Sequence, residues 1–165
     1  MSEQQAELYS LLVPLTNERL LVPRACVAEV IAFVVPEQVD ANALLPSWFL
    51  GFITWNGRRL PVASFEAMSG IDPSKRPGRS RIVVFNTFGD GLDGGYYGII
   101  TQGFPQLVRV NADVLAPADD QSWAEGQPVL CRTRMINEYP LIPDMERMET
   151  MIAEACSIEQ AAQAG

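Results

Sequence analysis

The stretch Pro46-Ser-Trp-Phe-Leu-Gly-Phe-Ile-Thr-Trp-Asn-Gly-Arg-Arg-Leu-Pro-Val62 decides how this chain is to be read. Asn56-Gly57 lies between two apolar runs and is the strongest short hairpin signal in the chain. A two-residue hairpin turn needs positive φ at both central positions, which Asn and Gly tolerate best. Gly51 to Trp55 and Arg59 to Phe65 are then two strands. Two tryptophans and two phenylalanines crowd into these 17 positions. Core packing beneath the hairpin accounts for Phe52 or Trp55, whereas an exposed aromatic would serve as a binding anchor.

Short strands continue on both sides. Leu8 to Leu15 reads as a strand, followed by a Thr16 to Arg19 turn and a second strand at Leu20 to Val22. Pro23 can open a helical turn over Ala25 to Val30. Arg81 to Phe88, Tyr96 to Thr101, Gln106 to Val110, Pro128 to Met135 and Tyr139 to Ile142 are β-rich runs between turn residues. Only the tail differs: in Asp144 to Gln163, Met145, Met148, Met151, Ile152, Ala155 and Ile158 recur at three- and four-residue steps, as in an amphipathic helix. Evenly spaced short strands favour one closed barrel or a pair. The expected fold is all-β with a short helical turn and a C-terminal helix.

Composition narrows the function. The 165 residues carry 12 Lys+Arg against 20 Asp+Glu, a net charge of −8, and 48% are apolar. A chain of this length buries roughly 70% of its unfolded surface, enough for a core without staples. With no histidine, the usual neutral-pH base, the commonest metal ligand and every Ser-His or Cys-His pair are missing. A pI near 4.5 argues against nucleic acid, which needs a cationic footprint. Cys26, Cys131 and Cys156 have neither metal nor redox spacing and fit a reducing cytosol. The first ten residues lack signal-peptide character, and the uncharged run Ala41 to Gly57 is too polar to cross a bilayer. The expectation is a cytoplasmic protein without cofactor, metal, nucleic acid or membrane insertion.

Motifs add little chemistry. Gly89-Asp90-Gly91-Leu92-Asp93-Gly94 matches G-x-G-x-x-G, but a strand follows where a dinucleotide site needs a helix, so it reads as a turn. The loop also lacks the ligand ladder of a calcium site. Asp119-Asp120 and Glu146/Glu149 read as surface charge, and Lys75, Arg76 and Arg79 as a solvated basic loop. Glu29, between apolar neighbours, either meets water or pairs with a cation in a groove.

In order and spacing the chain resembles the CheW-like domain family of chemosensory adaptors. The resemblance rests on the V-x-E-[IV] element Val27-Ala28-Glu29-Val30 and the Pro46 to Val62 stretch. It continues through Ile82-Val-Val, Gly98-Ile-Ile, Leu107-Val-Arg-Val and Val114-Leu-Ala-Pro117, with the closing strand and helix over Leu141 to Ile152. It spans residues 8–155 and implies two intertwined five-stranded SH3-like barrels around a shared core. Residues 1–7 would be a flexible N-terminus, and a helix over 144–163 would pack on the domain. The implied function is non-catalytic, coupling chemoreceptor signalling tips to a histidine autokinase through the kinase's CheW-like regulatory domain. Trp-Asn-Gly and Tyr-Pro-Leu-Ile-Pro look closer to adaptors of type IV pilus systems, which control twitching motility, than to flagellar ones. Recruitment to membrane-associated or polar receptor arrays follows from the same resemblance.

Carried over by position, the partner groove comprises Val27, Glu29, Gly51, Asn56 and Leu107. Asn56 stands where the family commonly has an Arg associated with the Glu at position 29, and Gln102 replaces a family Asp. Glu29 would then face a neutral amide, without the charge assistance that roughly doubles a hydrogen bond. Two other readings compete. A small-ligand barrel would need an apolar cavity of roughly 300–1,000 Å³, and a carboxylate enzyme would need a strongly perturbed acid in a cleft.

Overall fold

A computed structural model of the chain describes residues 8–37, 44–69, 80–92, 94–111, 115–117 and 126–164. Residues 1–7, the basic loop at Lys75 to Arg79, and Asp93, Asp119 and Asp120 lie outside the described residues. Eleven strands and two helices follow in order: β1 (Leu8–Pro14), β2 (Arg19–Pro23), β3 (Val27–Ala32), β4 (Phe49–Trp55), β5 (Arg58–Ala63), α1 (Phe65–Met68), β6 (Arg81–Asn86), β7 (Tyr96–Thr101), β8 (Gln106–Val110), β9 (Leu115–Pro117), β10 (Val129–Met135), β11 (Leu141–Pro143) and α2 (Met145–Ala164). The fold is all-β with an end helix, as the sequence implies.

The strands form a six-stranded sheet, β8-β1-β2-β11-β10-β9, and a five-stranded sheet, β3-β6-β7-β5-β4. The chain starts the first sheet, leaves after β2 to build the whole second sheet, and returns with β8 to β11. That excursion is the intertwining. The first sheet has six strands rather than five because the three residues of β9 pair with Thr133 to Met135. Parallel pairing of Leu20 with Leu141 joins the early and late halves of that sheet.

Both sheets close. Flat, β3 and β4 would lie four strand spacings apart, about 19 Å. Yet the Trp55 indole of β4 donates to the Glu29 carboxylate of β3 at 2.7 Å, and the Glu37 amide just past β3 donates to the Phe52 carbonyl at 2.7 Å. In the first sheet β8 and β9 would lie about 24 Å apart if flat, but five residue steps from Val110 to Leu115 span at most about 18 Å. The sheet must curl.

Alternation along the strands divides most apolar residues between two barrel cores and a shared one, and Phe49, Phe52 and Ala155 form a fourth, smaller cluster. Leu12, Leu21, Val110 and Met135 fill the first barrel. Ile53, Leu60, Val62, Ile82, Val84 and Ile100 fill the second. Their strand neighbours Val13, Leu20, Val22, Val83, Phe85, Tyr97 and Ile99 point the other way, into a core shared with Met145, Met148 and Ile152 of α2. This explains why β6 reads as the unbroken run Ile82-Val-Val-Phe85.

Several boundaries differ from expectation for identifiable reasons. The helical turn anticipated over Ala25 to Val30 shrinks to a single 3-10 turn, Arg24–Cys26. The β-branched Val27, Val30 and Ile31 instead find a strand partner in β6. Phe65 leaves the strand to open α1, whose N-cap Ser64 accepts from the Ala67 amide. Asp144 caps α2 by accepting from the Arg147 amide at 3.0 Å. In α2 the apolar stripe runs from Met145 to Ala155 but does not include Ile158, which is exposed. Glu159 is fully buried beside it.

One glycine is indispensable to closure. Gly51 has φ +121° at a bulge in β4, and a Cβ there would stand 2.1 Å from the Glu37 carbonyl oxygen. Gly51→Ala is expected to cost roughly 2–5 kcal/mol, combining backbone strain with overpacking. Gly57→Ala, at φ +71° with open space around it, should cost only about 1–2 kcal/mol. Urea unfolding of both variants checks this; equal midpoints would refute the closing role of Gly51.

Candidate functional site

The element Val27-Ala28-Glu29-Val30 would place Val27 and Glu29 on one face of a regular strand. It does not, because the register shifts: Val27 faces Phe85 and Glu29 faces Val84, leaving Ala28 as a bulge residue. Phe85 belongs to the shared core and Val84 to the second barrel. The bulge therefore turns Val27 and Val30 toward the seam between the barrels, and Glu29 toward the mouth of the second.

At the seam, Leu11, Val27 and Val30 are partly buried against the shared core. Leu107 on β8, a sheet-edge strand, is the cross-strand neighbour of Leu11 and is 52% exposed. Val27 and Leu107 thus both border an apolar seam. Tyr9, also exposed, stacks under the Arg109 guanidinium on the same pair of strands.

At the mouth of the second barrel the partner of Glu29 is Trp55, not Asn56 as the resemblance implied. The Trp55 Nε1–H donates to Glu29 Oε2 at 2.7 Å. Its ring meets Tyr96 edge-on at 4.9 Å, and the Arg58 guanidinium lies 5.3 Å from the centre of the Tyr96 ring while donating to the Gly94 carbonyl. Asn56, with φ +48°, is the first central residue of the hairpin turn, exposed beside Gly57. It holds the turn that aims Trp55. A neutral indole donor replaces the cation at this position, and strand period was the signal for it: Trp55 is two residues from Ile53 and so shares its barrel-facing side.

Gly51 stands apart from both groups. Buried and in contact with the Glu37 backbone, it contributes closure rather than a side chain. By these contacts Val27 and Leu107 border the apolar seam, Glu29 and Asn56 stand at the mouth of the second barrel, and Gly51 is a buried point of closure.

Three buried carboxylates escape the sequence reading, and one of them, Glu66 on α1, accepts from the Thr16 amide at 2.8 Å. Glu149, read as surface charge, is buried, and its two oxygens accept from the Phe88 and Gly89 amides at 2.8 Å each. The glycine-rich loop does present amides to an anion, but the anion is the chain's own. Glu159 pairs with Arg59 at 3.1 Å, and that guanidinium lies 3.7 Å above the Phe52 ring centre. These last two pairings join residues 60 or more positions apart, and nothing local in sequence announces them.

The interior of the second barrel is filled. A Cβ on Gly98, inside the second barrel, would stand 2.8 Å from Ile82 Cγ2 and 3.3 Å from Leu60 Cδ2. The larger cavities are open surface grooves, one between α2 and residues 88–91 and one at the β1–β2 turn. No cluster of three or more metal-ligating side chains occurs among the described residues. All three cysteines are free, and burial pushes the Cys26 thiol pKa up, away from a reactive thiolate.

Fold and surface together define a two-barrel β-protein whose larger described grooves lie on its outer faces. The CheW-like domain model matches residues 10–149, and the chain belongs to that family. Among solved structures it is similar to the scaffolding protein TtCheW from Thermoanaerobacter tengcongensis, with a TM-score of 0.68 at 16% identity, covering 84% of this chain and 89% of that one. Comparison with the curated proteins gives no match.

The Glu29–Trp55 hydrogen bond is testable by a double-mutant cycle. Trp55→Phe keeps a ring but removes the donor, and Glu29→Leu removes the acceptor. A coupling of about 0.5–1.5 kcal/mol is expected from equilibrium unfolding; strictly additive effects would show that the bond contributes nothing.

Proposed function

We propose that this chain is a non-catalytic chemosensory adaptor, coupling chemoreceptor signalling tips to a histidine autokinase through protein–protein contacts. Family membership over residues 10–149 is the observation that carries it. The filled interior of the second barrel and the half-exposed apolar seam at Val27, Val30, Leu11 and Leu107 support it. An interface core is apolar with a polar rim, and the seam flanked by Glu29, Arg109 and the Trp55 mouth has that composition. The kinase partner would be its CheW-like regulatory domain. Within this reading the chain acts in the cytoplasm, at receptor arrays, in a system governing type IV pili. No described helix is long and apolar enough to cross a membrane.

Calorimetric titration with the CheW-like regulatory domain of a histidine kinase from the same cell tests the proposal. A saturable one-to-one complex with negative heat-capacity change is expected, as apolar burial requires. Val27→Asp should weaken it at least about tenfold, about 1.4 kcal/mol, in a chain that a melting curve shows to be still folded. Wild-type affinity in that variant would remove Val27 from the interface. Absence of any complex with kinase domain or receptor tip would overturn the adaptor reading.

A further inference from the structure

The β10–β11 hairpin turns on Ile136-Asn137, closed by the Met135 amide donating to the Glu138 carbonyl at 2.8 Å and the reverse bond at 2.9 Å. Ile136 has φ +54°, a left-handed conformation that a β-branched residue adopts only under strain. The β4–β5 turn of the same chain meets the same need with Asn56-Gly57, residues that tolerate positive φ. Ile136 is also 78% exposed. An apolar side chain held in water by a strained backbone is an unpartnered contact point. Arg134, exposed and without an ion-pair partner among the described residues, precedes it by two positions, and the exposed Tyr139 follows. Ion pairs from Arg19 to Glu138 and from Arg132 to Glu18 tie the hairpin to the β1–β2 turn, and the two turn residues Ile136 and Asn137 stay exposed.

A complementary surface lies along α2. A groove of about 420 Å³ runs between that helix and residues 88–91. Its floor is small, with Gly89, Gly91 and Ala153, and Phe88 on its rim is 57% exposed. Glu146 and Glu154 line it, and among the described residues neither has an ion-pair partner and none that lines the groove is basic. Knob and groove match in both polarity and charge.

We propose that the Ile136 hairpin of one copy seats in the α2 groove of a second copy. Ile136 lies against Phe88 and Ala153, and Arg134 faces Glu146 and Glu154. Knob and groove are different surfaces, so the contact is head-to-tail and leaves one knob and one groove open at the ends of every pair. A net charge of −8 opposes indiscriminate association, so the opposed charges select this register. The inference goes beyond the adaptor reading and does not depend on it.

Sedimentation equilibrium of the purified full chain tests it with two variants. Ile136→Asn removes the knob and places a residue that tolerates positive φ, so folding is preserved. Phe88→Ser/Glu154→Lys disables the groove at two exposed positions. Wild type should show mass rising with concentration, and each variant alone should associate at least about tenfold more weakly. An equimolar mixture of the two should form a pair that stops at two copies, since only one intact knob and one intact groove meet. A wild type monomeric at millimolar concentration, a variant that associates like wild type, or a mixture that stays monomeric would each overturn the proposal. Melting curves of both variants confirm that they are folded.

Discussion

Val13, Leu20, Val22, Val83, Phe85, Tyr97 and Ile99 leave their strands on the same side and meet in one core. The rest of the molecule depends on that meeting. Each of these strands also sends its alternate residues into a barrel, so one set of backbones is packed on both faces. Neither barrel can slip by one residue without exchanging its own filling for the shared one. The seam, the mouth and the hairpin tips inherit fixed positions from this constraint.

The second organising device is irregularity placed where closure or aim requires it. A bulge at Ala28 separates Val27 from Glu29, and a bulge before Gly51 lets the Glu37 carbonyl approach β4. Without the first, the carboxylate would share the seam with Val27 and could not reach the Trp55 indole. Without the second, the β3 extension could not bridge to Phe52. Each is one extra residue in a strand, and each decides what the surface presents.

This division explains what could be read in advance. Hairpin chemistry at Asn56-Gly57, β-branched runs such as Ile82-Val-Val and the three-to-four spacing of Met145 to Ala155 depend on near neighbours, and they were legible. Bulges carry no compositional mark, so the turn of Glu29 away from Val27 is invisible in sequence, and the resemblance, read by position, points to Asn56 where the structure has Trp55. Burial of Glu149 and Glu159 depends on amides and a guanidinium from distant segments, so both helix positions looked like ordinary solvent-facing charge. The strand β9 is three residues long and too short to show any period. Site residues carried over by position divided in the same way. Val27 and Leu107 reach the seam because strand faces place them there, whereas Gly51 proved to be a matter of closure.

The excursion of the chain between β2 and β8 has a consequence for synthesis. Leu8 on β1 must wait for Val110 on β8, and Leu20 on β2 for Leu141 on β11. As the polypeptide emerges, β3 to β7 supply every strand of the second barrel before the first has more than a hairpin, and an isolated hairpin is at best marginally stable. Such distant pairings are slow to form because loop closure precedes any gain from contact. The half-made molecule therefore exposes the apolar faces of β1 and β2 until the final third of the chain arrives. Only the shared-core residues of β1 and β2, Val13, Leu20 and Val22, have a surface to pack on before then, because Val83, Phe85, Tyr97 and Ile99 of the second barrel precede β8 in the chain.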